Sequence, residues 1–309
     1  YYTKSCRTEY SGMNPNGPNV IYIGDNCYGS NVFVQSLIMQ VLGLEAEHNR
    51  RDRDNYVKIY PENLQPHFAK FFKKDRINTT VTYNIQYDYG SVIHGSQFIY
   101  TDRYYVKSIK ALGEHDVYYQ RMIGQRKGIS FTEFKLINYH YCNNSCSQNI
   151  TCYWNGYQSP NRCHECECPF PFFGKDCVSI RPSEKIVCPD TRLTALDKEQ
   201  KIEYWGWRQC YNLITANNSD ATVHIRITYI YFDDFKFCSR GGHNFLEVKY
   251  RADRGVMGVC FCYKLFDFEH NIYTEDRHAV LIYHGYYQTA RAYLFYNQHI
   301  PSPLDRPKE

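Results

Sequence analysis

The chain has 309 residues, 43% of them hydrophobic, and its 36 basic and 32 acidic residues give a net charge of +4. This length and composition predict a sizeable core divided among two or three domains. The basic residues form no dense block, which argues against nucleic acid as a partner.

Fourteen cysteines at close spacings predict disulfide bonds, which persist in an oxidising, extracellular compartment. Secretion also fits four Asn-x-Ser/Thr sequons, which predict glycosylation at Asn78, Asn143, Asn149 and Asn217. No apolar run reaches the ~20 residues that a membrane span needs. Because the chain begins at Tyr1, without an initiator Met or an apolar leader, we expect it to be processed or N-terminally truncated.

The first predicted domain covers residues 1–142, where helical and extended patterns mix as in an α+β fold. A helix is predicted over Phe33 to Gly43, ending at a glycine that accepts a left-handed backbone. Positions 36 and 40 are four apart and share one face of this helix. A disulfide is expected between Cys6 and Cys27.

The helix sequence, Ser36-Leu37-Ile38-Met39-Gln40-Val41-Leu42-Gly43-Leu44-Glu45-Ala46, has the spacing of the metzincin zinc motif H-E-x-x-H-x-x-G-x-x-H. The stretch that follows resembles the astacin family of metalloproteases, which continues its motif with residues matched by Glu47, Arg50, Arg53 and Asp54. The segment 87–95 resembles that family's Met-turn, and 123–131 resembles its closing segment. The resemblance implies an astacin-like protease domain whose N-terminal part is missing from this sequence.

The residues that carry chemistry in astacins are all replaced here. Ser36, Gln40 and Ala46 stand at the three zinc-binding histidines, and Leu37 stands at the general-base glutamate. Ile93 replaces the methionine of the turn, and Gly95 replaces a tyrosine that serves as a further zinc ligand. Zinc needs imidazole, thiolate or carboxylate donors, so we expect no zinc and no peptidase activity. The alternative is an active zinc endopeptidase with displaced ligands, for which Glu45, Glu47, His48 and His94 are the candidates.

The second predicted domain, 143–178, holds six cysteines and resembles an EGF-like module. The resemblance implies the disulfides Cys146–Cys163, Cys152–Cys166 and Cys168–Cys177, although spacing alone leaves the connectivity open. A linker is predicted over Ile180 to Lys185.

The third predicted domain, 188–299, has alternating apolar and polar stretches typical of strands and resembles an all-β CUB sandwich, with a tail at 300–309. Cys188 is expected to pair with Cys210, and Cys238 with Cys260 or Cys262. That choice and the partner of Cys142 stay open. Calcium is not expected, because Asn244 and Asn297 align with positions where calcium-binding CUB domains use aspartates.

These expectations combine into a secreted, non-catalytic astacin-like protein that binds an extracellular protein or peptide through its cleft or its EGF-like and CUB-like modules. A second alternative is a matrix or interaction protein in which only those two modules act.

Overall fold

A computed structural model describes residues 6–25, 27–75, 80–101, 103, 105–183, 188–232, 238, 244–266 and 268–301. The chain divides into two compact units, Tyr1–Ser147 and Gln148–Glu309. Among the described residues, no helix has the length and apolar character needed to span a membrane.

The first unit combines short strands with helices. Its strands and α-helices are β1 (Arg7–Thr8), β2 (Ile21–Tyr22), α1 (Asn31–Val41), β3 (Val57–Ile59), β4 (Ile109–Ala111), α2 (Asp116–Tyr119) and α3 (Phe131–Ile137). Its 3₁₀ helices are Glu47–Asn49, Arg53–Asn55, Pro61–Asn63 and Pro66–Phe72, and Asn138–Cys142 forms a π-helical turn. The pairs β1–β2 and β3–β4 are antiparallel, so the unit is α+β.

Helix α1 begins at Asn31, two residues before the predicted start, because the Ser30 side chain accepts a hydrogen bond from the backbone N–H of Phe33 at 3.4 Å. The helix ends at Val41, and Gly43 takes a φ of +94°. A side chain at this position would strain the backbone, so the glycine lets the chain turn there.

The buried face of α1 packs on the turn formed by residues 87–95. Met39 of the helix and Leu44 beyond it form one core cluster with Val92 and Ile93 of the turn. This packing holds the turn against the helix through Met39.

The second unit begins with a disulfide-rich region and continues into a β-sandwich. The disulfide-rich region contains β5 (Tyr157–Gln158), β6 (Cys166–Glu167), β7 (Phe172–Phe173) and β8 (Ser179–Ile180). The sandwich contains β9 (Arg192–Ala195), β10 (Gln200–Trp205), β11 (Arg208–Ala216), β12 (Thr222–Tyr231), β13 (Phe245–Lys249), β14 (Val259–Phe261), β15 (His270–Tyr273), β16 (His278–Gly285) and β17 (Arg291–His299).

The sandwich consists of two sheets. One has the strand order β10-β17-β12-β15, and the other has the order β14-β13-β16-β11-β9. Buried and half-buried side chains alternate along much of β12 and β17, where Ile225 and Leu294 are fully buried, whereas Ala279 to Tyr283 of β16 are all buried. The alternation read from the sequence therefore corresponds to the sandwich core.

Disulfides close both units. The structure joins Cys6–Cys27, Cys152–Cys166, Cys168–Cys177, Cys188–Cys210 and Cys238–Cys262. Cys146 and Cys163 are also disulfide-bonded. Of the two alternatives for Cys238, the structure selects Cys262, and Cys142 and Cys260 lie outside the disulfides of the described residues.

The described part of the predicted linker is not a free connector. Ser179 and Ile180 belong to β8, which pairs with β7. The buried Ser183 hydroxyl donates to the carbonyl of Tyr211 at 3.0 Å and accepts from the N–H of Tyr211 at 2.7 Å. Ile180 and Ser183 are thus bonded to β7 and β11, while Glu184 and Lys185 lie outside the described residues.

Candidate functional site

Both polar side chains on the helix face that matches the first part of the zinc motif are hydrogen-bonded within the protein. Ser36 is buried, and its hydroxyl donates to the carbonyl of Phe33 at 2.7 Å. The half-buried Gln40 accepts a long hydrogen bond of 3.5 Å from the Thr8 hydroxyl through Oε1. Leu37 lies between them in sequence and is buried in the core.

At the third zinc position, the half-buried Ala46 offers only a methyl group. The next histidine, His48, turns inward on the 3₁₀ helix Glu47–Asn49 and is buried. Its Nδ1 accepts a hydrogen bond from the backbone N–H of Gly95 at 2.9 Å. Burial lowers the pKa of His48 well below its usual range, so the ring is neutral.

Gly95, where the astacin resemblance predicts a tyrosine, is in close contact with the His48 ring. A Cβ at Gly95 would lie 2.9 Å from His48 Cε1 and 3.1 Å from Ile109 Cδ1. The His48 ring therefore occupies the space that the Cβ atom of any other residue at position 95 would need.

His94 is the second histidine of the site and has no exposed surface. Its Nδ1 lies 2.7 Å from the carbonyl of Gly95 and must donate there, because a carbonyl only accepts. Its Nε2 then accepts from the Tyr87 hydroxyl at 2.7 Å. Burial lowers the pKa of His94 to about 4, which keeps the ring neutral. Both nitrogens are therefore engaged by the protein.

The buried carboxylates of Glu47 and Glu133 bond to the turn formed by residues 87–95 and connect it to two other segments. Glu47 Oε1 accepts from the N–H of Asp88 at 2.8 Å and lies 3.2 Å from Arg50 Nη1. Glu133 of α3 accepts from the Ser91 hydroxyl at 2.6 Å and from the N–H of Ser130 at 2.7 Å. Burial raises the pKa of Glu47 and of Glu133 to about 7 in spite of these partners.

A cavity of about 540 Å³ lies beside Glu47. Its polar lining includes Arg50, Asp52, Asp75 and His140. Burial also raises the pKa of Asp75, to about 6, with a smaller contribution from Glu45. Sequence reasoning singled out Glu47 but missed Asp75 and His140, because distant residues with no shared motif give no local signal.

The residues at the motif positions do not fit zinc. Zinc in proteins is bound by thiolate, imidazole or carboxylate. Positions 36, 40, 46 and 95 offer a hydroxyl, an amide, a methyl group and no side chain. The histidines nearby, His48 and His94, have ring centroids 5.6 Å apart and both hydrogen-bond to Gly95.

Residues 1–142 match the Astacin family of peptidases. These residues form an astacin-family protease domain. It is followed by a disulfide-rich region and a CUB-like β-sandwich.

Curated relatives extend the similarity beyond the astacin domain. Zinc metalloproteinase nas-34 of Caenorhabditis elegans is 32% identical over 245 residues, covering 79% of this chain and 39% of that protein. Zinc metalloproteinase nas-36 of Brugia malayi is 31% identical over 250 residues, covering 80% of this chain and 42% of that protein. The chain thus spans about two fifths of the length of these relatives.

Two solved structures are similar to parts of the chain. The hatching enzyme zinc-protease high choriolytic enzyme 1 from Oryzias latipes has 28% identity and a TM-score of 0.41, covering 46% of this chain and 66% of that one. The CUB1-EGF-CUB2 domain of human MASP-1/3 has 17% identity and a TM-score of 0.29, covering 51% of this chain and 55% of that one.

Asn244 and Asn297 do not converge on one site in the sandwich. Asn244 accepts a hydrogen bond from the N–H of Tyr286, just after β16 ends. Asn297 is hydrogen-bonded through Oδ1 to the ring of His224, near the start of β12. Arg291 of β17 pairs with Trp205 and so lies at the same end of the sandwich as Tyr286. Asn297 lies six residues further along β17, a distance of roughly 20 Å from Arg291. The two asparagines therefore lie towards opposite ends of the strands, and the expectation that calcium does not bind stays a prediction.

Three of the four predicted glycosylation sites are in described parts of the chain. Asn143, Asn149 and Asn217 are all exposed, as a glycan acceptor must be. Asn78 lies outside the described residues.

Proposed function

We propose that this is a secreted astacin-family protein without peptidase activity that binds an extracellular protein or peptide. The observation that carries the proposal is that the motif positions have no catalytic side chains, while the hydrogen bonds and the turn around them are formed. Positions 36, 37, 40, 46 and 95 supply neither zinc donors nor a general base. The glycine turn, the Glu47–Asp88 bond and the Ser91–Glu133 bond around them are nevertheless formed.

Loss of the base alone would impair catalysis. General acid–base catalysis typically contributes about 10²–10⁴-fold to a rate. Leu37, at the base position, is a buried aliphatic side chain that cannot accept a proton.

The first experiment measures bound zinc and peptide hydrolysis on the purified full chain, with an active astacin as the positive control. The proposal expects substoichiometric zinc and no hydrolysis above a blank. Stoichiometric zinc together with chelator-sensitive cleavage would refute it.

The displaced-ligand alternative makes a different prediction for the two histidines. It expects cleavage that is lost in His48→Ala and in His94→Ala. The non-catalytic proposal expects no cleavage in the parent protein, so neither substitution has an activity to remove.

The sandwich offers a surface suited to a protein partner. The turn between β10 and β11 lies beside the turn between β16 and β17, because Trp205 pairs with Arg291 and Arg208 pairs with Gly285. These two turns form an aromatic end with four rings that are 44–71% exposed, namely Trp205, Trp207, Tyr286 and Tyr287. Trp, Tyr and Arg dominate the energetic centres of protein interfaces.

Binding variants of the full chain separate the cleft from the aromatic end. After a partner is identified, the double substitution Trp207→Ala/Tyr286→Ala tests the aromatic end, and Gln40→Arg/Ala46→Arg tests the cleft. Loss with the first pair alone favours an interaction protein that acts through the sandwich. If neither pair weakens binding, both proposed surfaces are wrong.

A further inference from the structure

The 3₁₀ helix Pro66–Phe72 presents a basic row beside an aromatic row. A 3₁₀ helix has three residues per turn, so side chains three apart align. His67, Lys70 and the C-cap residue Lys73 share one row, and all three are exposed. Phe68 and Phe71 share the next row, with ring centroids 6.1 Å apart.

Tyr100 extends the aromatic row into a shelf. Its ring stacks on Phe68 at 4.2 Å with an interplanar angle of 17°, and on Phe71 at 5.6 Å with an angle of 27°. Tyr100 has a φ of +60°, a left-handed conformation that is strained for a bulky residue. Its carbonyl accepts from the N–H of Gln65 at 3.1 Å, which fixes it beside the start of the helix.

The shelf is anchored on one side and open on the other. Phe72 is buried, and its ring lies 5.3 Å from that of His48. The adjacent Phe71 is 46% exposed. Because Phe72 is buried and Phe71 is exposed, one face of the shelf is in solvent.

The positive charges beside the shelf are available for an anionic partner. Lys70 Nζ lies 5.1 Å from the centre of the Phe71 ring. Within the described part of the chain, Lys70 and Lys73 form no ion pair, whereas Lys74 is paired with Asp54. Arg103 adds a further charge nearby, since its Nη2 donates to Asn63 Oδ1 at 3.4 Å.

We propose that this basic-aromatic shelf, defined by His67, Phe68, Lys70, Phe71, Lys73 and Tyr100, binds an anionic polysaccharide. Sugar rings lie against the stacked aromatic faces, and the two lysines meet sulfate or carboxylate groups along the chain. Clustered basic side chains are a feature of heparin-binding patches, and Lys70 and Lys73 supply two such charges on one row here. A lipid surface fits less well, because Phe68 and Tyr100 are half-buried and stacked together instead of projecting as separate apolar anchors.

The experiment measures binding of the full chain to heparin over a range of NaCl concentrations. By analogy with counterion release on other polyanions, Lys70→Gln/Lys73→Gln should reduce the slope of log K against log salt by about two, one for each lysine. Phe71→Ala should weaken binding several-fold and leave that slope unchanged, because it removes ring contact and no charge.

The matched control is Lys175→Gln/Lys198→Gln, which removes two exposed charges of the second unit that, like Lys70 and Lys73, form no ion pair within the described residues. Near-ultraviolet circular dichroism checks that each variant is folded. An equal loss in the control would mean that only net charge matters, and the proposal would fail. It would also fail if Lys70→Gln/Lys73→Gln bound heparin like the parent, or if the protein bound phosphatidylserine vesicles and not heparin.

Discussion

Among the described residues, the hydroxyl of Tyr87 is the only partner of the Nε2 atom of His94, and both side chains are fully buried. Tyr87→Phe would leave that ring nitrogen without a partner in the core. An unsatisfied buried polar atom costs about 1–3 kcal/mol, so we expect the free energy of unfolding to fall by that amount.

Urea unfolding of the two proteins measures the change. Tyr83→Phe is the matched control, because it removes a hydroxyl whose bond to His140 is exposed, and it should change stability by no more than about 0.5 kcal/mol. Equal losses in the two variants would show that Tyr87 does not satisfy His94.

Glu133 gives the stability of the first unit a definite pH dependence. Its pKa is about 7 in the folded protein against an ordinary value of 4.5, because burial disfavours the charged form. Its contribution to stability is therefore complete below pH 4.5 and is lost as the pH rises to 7. His94 has the opposite sign, since its pKa is lowered to about 4 and its contribution is lost as the pH falls from 6.5.

Glu133→Gln isolates the first effect, because the amide does not ionise. The substitution carries a fixed cost from altered hydrogen bonds to Ser91 and Ser130. Relative to the parent, however, the variant should gain roughly 3 kcal/mol between pH 4.5 and pH 7. Urea unfolding at a series of pH values tests this, and a difference that stays constant with pH would show that Glu133 titrates normally.

At the scale of elements, the sequence predicted the ends of a helix but not the contacts between segments that are distant along the chain. The two ends of α1 lie within two residues of the predicted ends, because the Ser30 cap and the left-handed turn at Gly43 depend on neighbouring residues. The bond between His48 and Gly95 joins residues 47 apart, and only the folded chain brings them together. The cavity beside Glu47 was missed for the same reason.

The turn that contains Gly95 depends on the absence of a side chain. Gly95→Ala would place a methyl group 2.9 Å from His48 Cε1 and 3.1 Å from Ile109 Cδ1, both buried. Overpacking of this kind typically costs about 1–3 kcal/mol. Thermal and urea unfolding should both show the loss.

Gly128→Ala is the matched control for this element. Among the described residues, nothing lies within 4 Å of the place that its methyl group would take, and Gly128 is not among the glycines with positive φ. We expect a change within about 0.5 kcal/mol or a slight gain in stability. A Gly95→Ala protein as stable as Gly128→Ala would mean that the His48 ring moves freely, contrary to the packing described.

At the scale of the whole molecule, the astacin-family domain has no histidine, cysteine or carboxylate at positions 36, 40, 46 and 95, and the sandwich exposes an aromatic end. The astacin frame persists through buried bonds that do not involve the zinc positions, such as Asp88 with Thr132 and Ser91 with Glu133. A frame maintained independently of the metal should remain able to hold one.

Restoring the donors tests this independence directly. Ser36→His, Gln40→His and Ala46→His together place two imidazoles on one face of α1 and a third beyond the Gly43 turn. We expect one zinc per chain, bound with a dissociation constant of about 1 μM or tighter, as measured by metal analysis and competition with a chelator. Adding Leu37→Glu should then produce chelator-sensitive peptide cleavage, because the carboxylate can take the proton from a zinc-bound water.

A control protein carries three histidines at the exposed positions Gln35, Ile38 and Glu45, which lie outside the restored ligand pattern. Near-ultraviolet circular dichroism establishes that both triple variants are folded. Folded proteins that bind zinc equally would show that any added histidines suffice, and a folded restored variant without zinc would show that the frame has drifted from its metal-binding geometry. Zinc in the restored variant alone means that the replaced side chains, and not a change of fold, removed the metal site.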